Sequence, residues 1–119
     1  MPAETGPAAI AKAFTQAWTG GDIDEAASYI ADDVVFDGPL GHVEGKSGYI
    51  ESLRGLVRNL GVTGVRVVAD FGDATRALIM YELQSSRYGA LLCAKLFTVQ
   101  GGLIRRDLLT FDSFPVRKA

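Results

Sequence analysis

The sequence predicts an α+β domain in which helices cover one face of a mostly antiparallel sheet. Three observations predict it. Helical periodicity is concentrated in the first half, up to residue 60. Four segments rich in β-branched and aromatic residues follow one another after it. Short Gly-containing connections join those four segments, as in a hairpin meander. Such segregation of helices from strands argues against an alternating parallel βαβ fold.

The first helix is expected over 8–19, where Ile10, Phe14 and Trp18 recur every four residues and form one apolar stripe. Gly20-Gly21 stops it. Asp22 then caps a second helix, with Glu25 three residues on in a capping-box arrangement, and Ile23, Ala26, Ala27 and Ile30 as its apolar face. Val34-Val35-Phe36 reads as a short strand ended by Gly38-Pro39, and a loop through His42 leads to a third helix over roughly 46–59. Tyr49, Ile50, Leu53, Val57 and Leu60 line one side of that helix and Gly61 marks its end. The four strand segments are VTGVRVVADF, RALIMYELQ, ALLCAKLFTV and LIRRDLLTFDSF. The middle two are apolar on both faces, whereas a half-exposed strand alternates with polar residues. One face is expected to cover the helices and the other to meet a second copy, giving a homodimer through the sheet.

Composition bounds the function. The 119 residues make one domain, 1–119, with 1–7 expected to be flexible. A net charge of −2 and only short basic pairs, Arg105-Arg106 and Arg117-Lys118, argue against a nucleic-acid partner. Cys93 is the single cysteine and His42 the single histidine, so neither a disulfide nor a multi-cysteine metal site is expected. The absence of an apolar run of about 18 residues argues against a membrane span. The N-terminal MPAETGPAA has neither the basic nor the apolar part of a signal peptide, so a cytoplasmic protein is expected.

The segment GGDIDEAASYIADDVVFDGPLGHVEGKSGYIESL resembles the entry segment of the nuclear transport factor 2-like superfamily, in its SnoaL-like and ketosteroid isomerase-like group. The shared features are Gly21-Asp22, Ala31-Asp32-Asp33 and Gly45, and the closing GGLIRRDLLTFDSF resembles the family's last strand. The resemblance implies a cone of three helices on a curved sheet, enclosing an apolar pocket for a small organic molecule. It also implies that the established catalytic sets are missing. The isomerase's oxyanion tyrosine falls at Phe14, its general base at Gly38 with Asp37 adjacent, and its protonated aspartate at Lys95. The epoxide hydrolase's last-strand aspartate falls at Leu109, and its Arg and Asp find no match within MYELQSS.

Matching the penultimate strand to the family puts Leu91, Cys93, Lys95 and Phe97 on the pocket face. Alternation then puts Asp107, Leu109 and Phe111 on the same face of the last strand. If the hairpin pivots about Gly101, Lys95 and Asp107 are direct cross-strand partners, close enough for an ion pair that would protonate or orient a carbonyl oxygen. A two-residue Gly101-Gly102 turn shifts the register by one and breaks that pairing. A purely structural salt bridge, facing solvent or a dimer interface, is the competing reading. Glu82 would point inward with Leu78 and Met80 as a second carboxylate, or lie in water near the strand end. His42, at the mouth, would supply proton transfer near neutrality, or merely hydrogen-bond the backbone. Phe14, Trp18, Phe36 and Met80 join Cys93, Phe97, Leu109 and Phe111 as expected ligand-contacting walls.

Two functions follow. One is an enzyme needing no cofactor, acting by proton transfer on a small apolar carbonyl or polyketide-like compound: an isomerase, cyclase, dehydratase or hydrolase. The other is a non-catalytic ligand-binding or dimerisation module.

Overall fold

A computed structural model describes residues 6–118. The flexible segment expected over 1–7 lies largely outside the described residues, and Pro7 already opens the first helix. The helices are α1 (Pro7–Thr19), α2 (Ile23–Ala27), α3 (Lys46–Leu60) and α4 (Phe114–Lys118). The strands are β1 (Ile30–Gly38), β2 (Gly41–Glu44), β3 (Val62–Gly72), β4 (Arg76–Ser85), β5 (Gly89–Gln100) and β6 (Leu103–Phe111). They form one six-stranded sheet in the order β2-β1-β6-β5-β4-β3. Only the β1–β6 pair is parallel.

The helices begin and end largely where the caps predict. Asp22 accepts a hydrogen bond from the Glu25 backbone N–H at 3.1 Å, satisfying one of the free donors of α2. Gly61 closes α3 in the left-handed region at φ 62°, which glycine adopts without a Cβ penalty. α1 buries Ile10, Phe14 and Trp18 against the sheet, where Ile79, Tyr81, Phe97 and Ile104 meet them in one core. α3 adds Tyr49, Leu53 and Leu60.

Three expectations need correction. Ile30 is not part of the second helix; it starts β1 and pairs with Ile104. The loop through His42 is a strand, β2, which folds back on β1 with His42 opposite Asp37. The last strand stops at Phe111 and a short helix follows.

The β5–β6 hairpin decides which β6 residues face the helices. Gly101 and Gly102 form a two-residue turn with φ 60° and 78°, the positive angles that let such a turn follow the strand twist. Beside the turn, Gln100 pairs with Leu103 and Val99 with Ile104. Continued unbroken, that register would put Asp107 on the outer face. Instead Thr98 pairs with Arg106, so Arg105 is the extra residue of a β-bulge. The bulge returns Asp107 to the inner face, opposite Phe97, while Lys95 lies opposite Leu109. The expectation of direct Lys95–Asp107 pairing is thus corrected: they are diagonal neighbours on one face.

Candidate active site

Between α3, the β1–β2 hairpin and the concave side of β4–β6 lies a cavity of about 280 Å³. Its wall is mainly apolar, with Leu53, Leu56, Leu83, Leu91, Leu109 and Phe111 from three sides. Pro39, Leu40 and His42 are exposed at one end and mark the mouth. Trp18, Tyr49, Tyr81, Cys93 and Lys95 are buried at the other and form the floor.

A charged cluster sits at that floor. Lys95 and Asp107 are 2% and 1% exposed, and Lys95 Nζ donates to Asp107 Oδ2 at 2.9 Å. The Tyr49 hydroxyl donates to the same oxygen. Asp107 Oδ1 has no hydrogen-bond partner among the described residues. The ammonium also stands 5.5–5.8 Å from the ring centres of Phe14, Trp18, Phe36 and Phe97, a distance at which aromatic quadrupoles attract a cation. Phe14 packs across Tyr49 and edge-on to Phe97, with centroids 6.1 and 5.9 Å apart. An isolated buried charge is very costly, and here one carboxylate and four ring faces replace its water.

The titration of the neighbouring groups follows from this enclosure. Burial pushes the Tyr49 phenol well above its usual range, and the Asp107 charge adds to it, so Tyr49 acts as a hydrogen donor. Tyr81 is raised mainly by burial too. Burial raises the Cys93 thiol, against an opposing pull from the Lys95 charge and from Tyr81. Cys93 is therefore a wall residue rather than a thiolate nucleophile.

Some expected residues do not converge. Met80 is expected to face the pocket and Glu82 either to join it or to lie in water; both point away from it, Glu82 as in its second reading. β4 buries Ala77, Ile79, Tyr81 and Leu83, so alternation sends Leu78, Met80 and Glu82 to the outer face. Met80 is exposed there, and Glu82 pairs with Arg66 at 3.4 Å, which holds its carboxyl below the usual range. Phe14 and Phe97 are fully buried behind the floor and do not line the cavity. Trp18, Phe36, Cys93, Leu109 and Phe111 do.

His42 lies at the mouth with both ring nitrogens engaged. Nδ1 meets Asp37 Oδ1 at 2.6 Å and Nε2 meets Glu44 Oε2 at 2.8 Å. These two bonds, Asp37 first, raise its pKa. Asp37 also faces Arg106 at 3.7 Å. His42 thus ties the two strands of the hairpin together.

Tyr49 reads in the sequence as an aromatic of the helical stripe, core or pocket wall, and not as the hydrogen donor it is here. The available signal was its hydroxyl, since a buried tyrosine generally finds a partner for it. Among the described residues, no three His, Cys, Asp or Glu side chains converge as a metal centre requires.

A curved sheet with helices across its concave side and a polar cluster beneath an apolar cavity defines a nuclear transport factor 2-like cone. The same fold is found in a nuclear transport factor 2-like protein of unknown function from Cytophaga hutchinsonii (TM-score 0.78, 18% identity, 92% of each chain). The chain belongs to the SnoaL-like domain family, whose model matches residues 11–107. A crystal structure of a protein from Kribbella flavida is 31% identical over 96% of this chain and 93% of that one, with TM-score 0.89. An LEH-like epoxide hydrolase of M. tuberculosis shares the fold at 21% identity (TM-score 0.74, 93% of this chain, 86% of the other). No curated protein matches the chain significantly.

Proposed function

We propose that the chain is a cofactor-independent enzyme that moves a proton on a small apolar carbonyl or polyketide-like compound. The observation that carries this reading is the Tyr49–Asp107–Lys95 cluster beneath an apolar cavity. Buried ion pairs are poor stabilisers compared with apolar packing, so their retention at a cavity floor favours chemistry. In this reading Lys95 Nζ binds the substrate's carbonyl oxygen. The α-carbon proton passes through water to neutral His42 at the mouth, the C–H electrons form a C=C bond, the carbonyl π electrons move onto the oxygen, and the ammonium holds the developing negative charge. Return of a proton to carbon completes an isomerisation. Asp107 fixes Lys95 and Tyr49 fixes Asp107. His42, at the mouth, exchanges the proton with solvent in this scheme.

The protein is further proposed to be a single-domain cytoplasmic homodimer. Leu78, Met80, Leu92 and Leu108 are exposed together on the outer sheet face, an apolar patch suited to an identical patch on a second copy. A lone buried Cys93 asks for no oxidising compartment. Among the described residues, no helix is long and apolar enough to cross a membrane.

The test is exchange of α-hydrogens for deuterium in a panel of small cyclic ketones in D2O, followed by NMR. Wild-type protein should accelerate exchange for at least one ketone, and Lys95→Met and Asp107→Asn should abolish it while circular dichroism stays native. Ketones that bind in the cavity without any accelerated exchange would instead favour the non-catalytic binding module.

A further inference from the structure

The scheme above uses Lys95 as a cation and leaves its nitrogen unused as a nucleophile. Lys95 is part of the cavity wall. Its Nζ stands 5.5 Å and 5.8 Å from the ring centres of Trp18 and Phe36, two further wall residues. Asp107 meets Nζ through Oδ2, while Oδ1 has no hydrogen-bond partner among the described residues and is open to receive a proton. The wall around them is mainly apolar, which disfavours the water that reverses condensation of an amine with a carbonyl.

An amine beside a proton acceptor in such a cavity has the parts that imine formation needs. Asp107 takes one Nζ proton, and the freed lone pair bonds to the carbonyl carbon. The C=O π electrons move onto the oxygen, and Asp107 returns the proton to it. A second Nζ proton, carried the same way, turns that hydroxyl into leaving water, and the nitrogen lone pair forms the C=N bond. One water is lost; Nζ keeps one hydrogen and its positive charge, and Asp107 keeps its negative charge. The product therefore suits the floor as the ammonium does, with no charge added to a buried place. The four rings that face the ammonium also face the protonated imine.

The same features select the ligand. An aldehyde presents a less hindered carbonyl carbon than a ketone does. A charged aldehyde would bring an uncompensated charge against an apolar wall. We infer that Lys95 is a covalent site for neutral, apolar aldehydes, which it holds as a protonated imine. This rests on the ligand-cavity reading of the preceding section and adds a bond that the proton-transfer scheme does not contain.

The test is reductive trapping. The protein is treated with cyclohexanecarbaldehyde and sodium cyanoborohydride, and the resulting cyclohexylmethyl groups are located by peptide mass mapping. Lys12 is exposed and gives the background rate within the same chain. Lys95 should be labelled about tenfold faster than Lys12, because the apolar wall concentrates the aldehyde beside it. With glyoxylate, a charged aldehyde, Lys12 should be labelled first. Lys95→Arg keeps a positive charge beside Asp107 and removes the nucleophile; it should lose the cavity adduct while labelling of Lys12 continues unchanged. Labelling of Lys12 and Lys46 without Lys95 overturns the inference. If ketone α-hydrogen exchange is still accelerated in that case, the cavity reading stands; if it is not, both fall. Equal preference of Lys95 for glyoxylate overturns the assignment to apolar aldehydes.

Discussion

Each face of the sheet carries one exception to the usual placement of side chains. On the inner face, β5 and β6 bury Lys95 and Asp107. On the outer face, the same strands expose Leu92 and Leu108 to water. Folding alone favours the opposite, apolar groups inside and charges outside. The two exceptions have different physical meanings. A buried ion pair is costly in isolation and becomes useful where a reacting group can exploit its field. An exposed apolar patch is costly in isolation and becomes useful when another surface covers it. In the proposed function, one strand pair thus carries the chemistry on one side and the association on the other.

The largest expected effect breaks the inner exception. Asp107→Leu alone should destabilise the protein by about 3–5 kcal/mol, because it leaves Lys95 buried without its carboxylate. Adding Lys95→Met should recover most of that loss or exceed it. Urea denaturation of the two single variants and the double variant checks both, and a double variant no better than Asp107→Leu would mean that the pair is not what carries the cost. On the outer face, Leu92→Lys should weaken the proposed dimer enough to halve the mass seen by light scattering at micromolar concentration, with native circular dichroism. An unchanged mass would mean that this face is not the interface.

Tyr49→Phe is a smaller perturbation. It removes one donor from Asp107 and should cost about 1–2 kcal/mol, read by the same urea titration. The smallest effect belongs to His42. Its raised pKa means the protonated form is favoured by folding, so its contribution is present below its unfolded value near 6.5 and is lost as pH rises through the folded value. His42→Gln should remove that pH dependence of hairpin order, measured by amide exchange in β1 and β2, and leave stability at pH 8 nearly unchanged.

Much of this arrangement is legible in the sequence, for identifiable reasons. The four-residue spacing of Ile10, Phe14 and Trp18 settles α1 because residues four apart share one face of a helix. Lys95 stands out because a charge in a strand otherwise apolar needs an explanation, and Asp107 stands out as the carboxylate that the next strand brings to the same face. Their register was harder. The hairpin length follows from the Gly101-Gly102 turn, yet a bulge changes which β6 residues face inward. Its trace is Arg105-Arg106, two successive polar residues between the buried Ile104 and Asp107, where a regular strand would alternate. Glu82 keeps two readings in the sequence because β4 is apolar on both faces, so alternation fixes the period but not its phase. β2 escaped notice because four residues starting at a glycine carry too little pattern to separate a strand from a loop. Tyr49 escaped because a helical stripe records burial and says nothing of what a hydroxyl touches.

The bulge at Arg105 has a consequence for how the chain tolerates changes in length. The β5–β6 hairpin holds one residue more than its two-residue turn requires, and that surplus is stored at Arg105. Deleting Arg105 would let the strands run unbroken from the turn while Asp107 stays opposite Phe97 and within reach of Lys95. Removing Ile104 while the bulge stays would empty a fully buried core position. Of the four residues that lead from the turn to Asp107, one arginine of the Arg105-Arg106 pair is thus what the floor of the cavity would not miss, since deleting either gives the same chain.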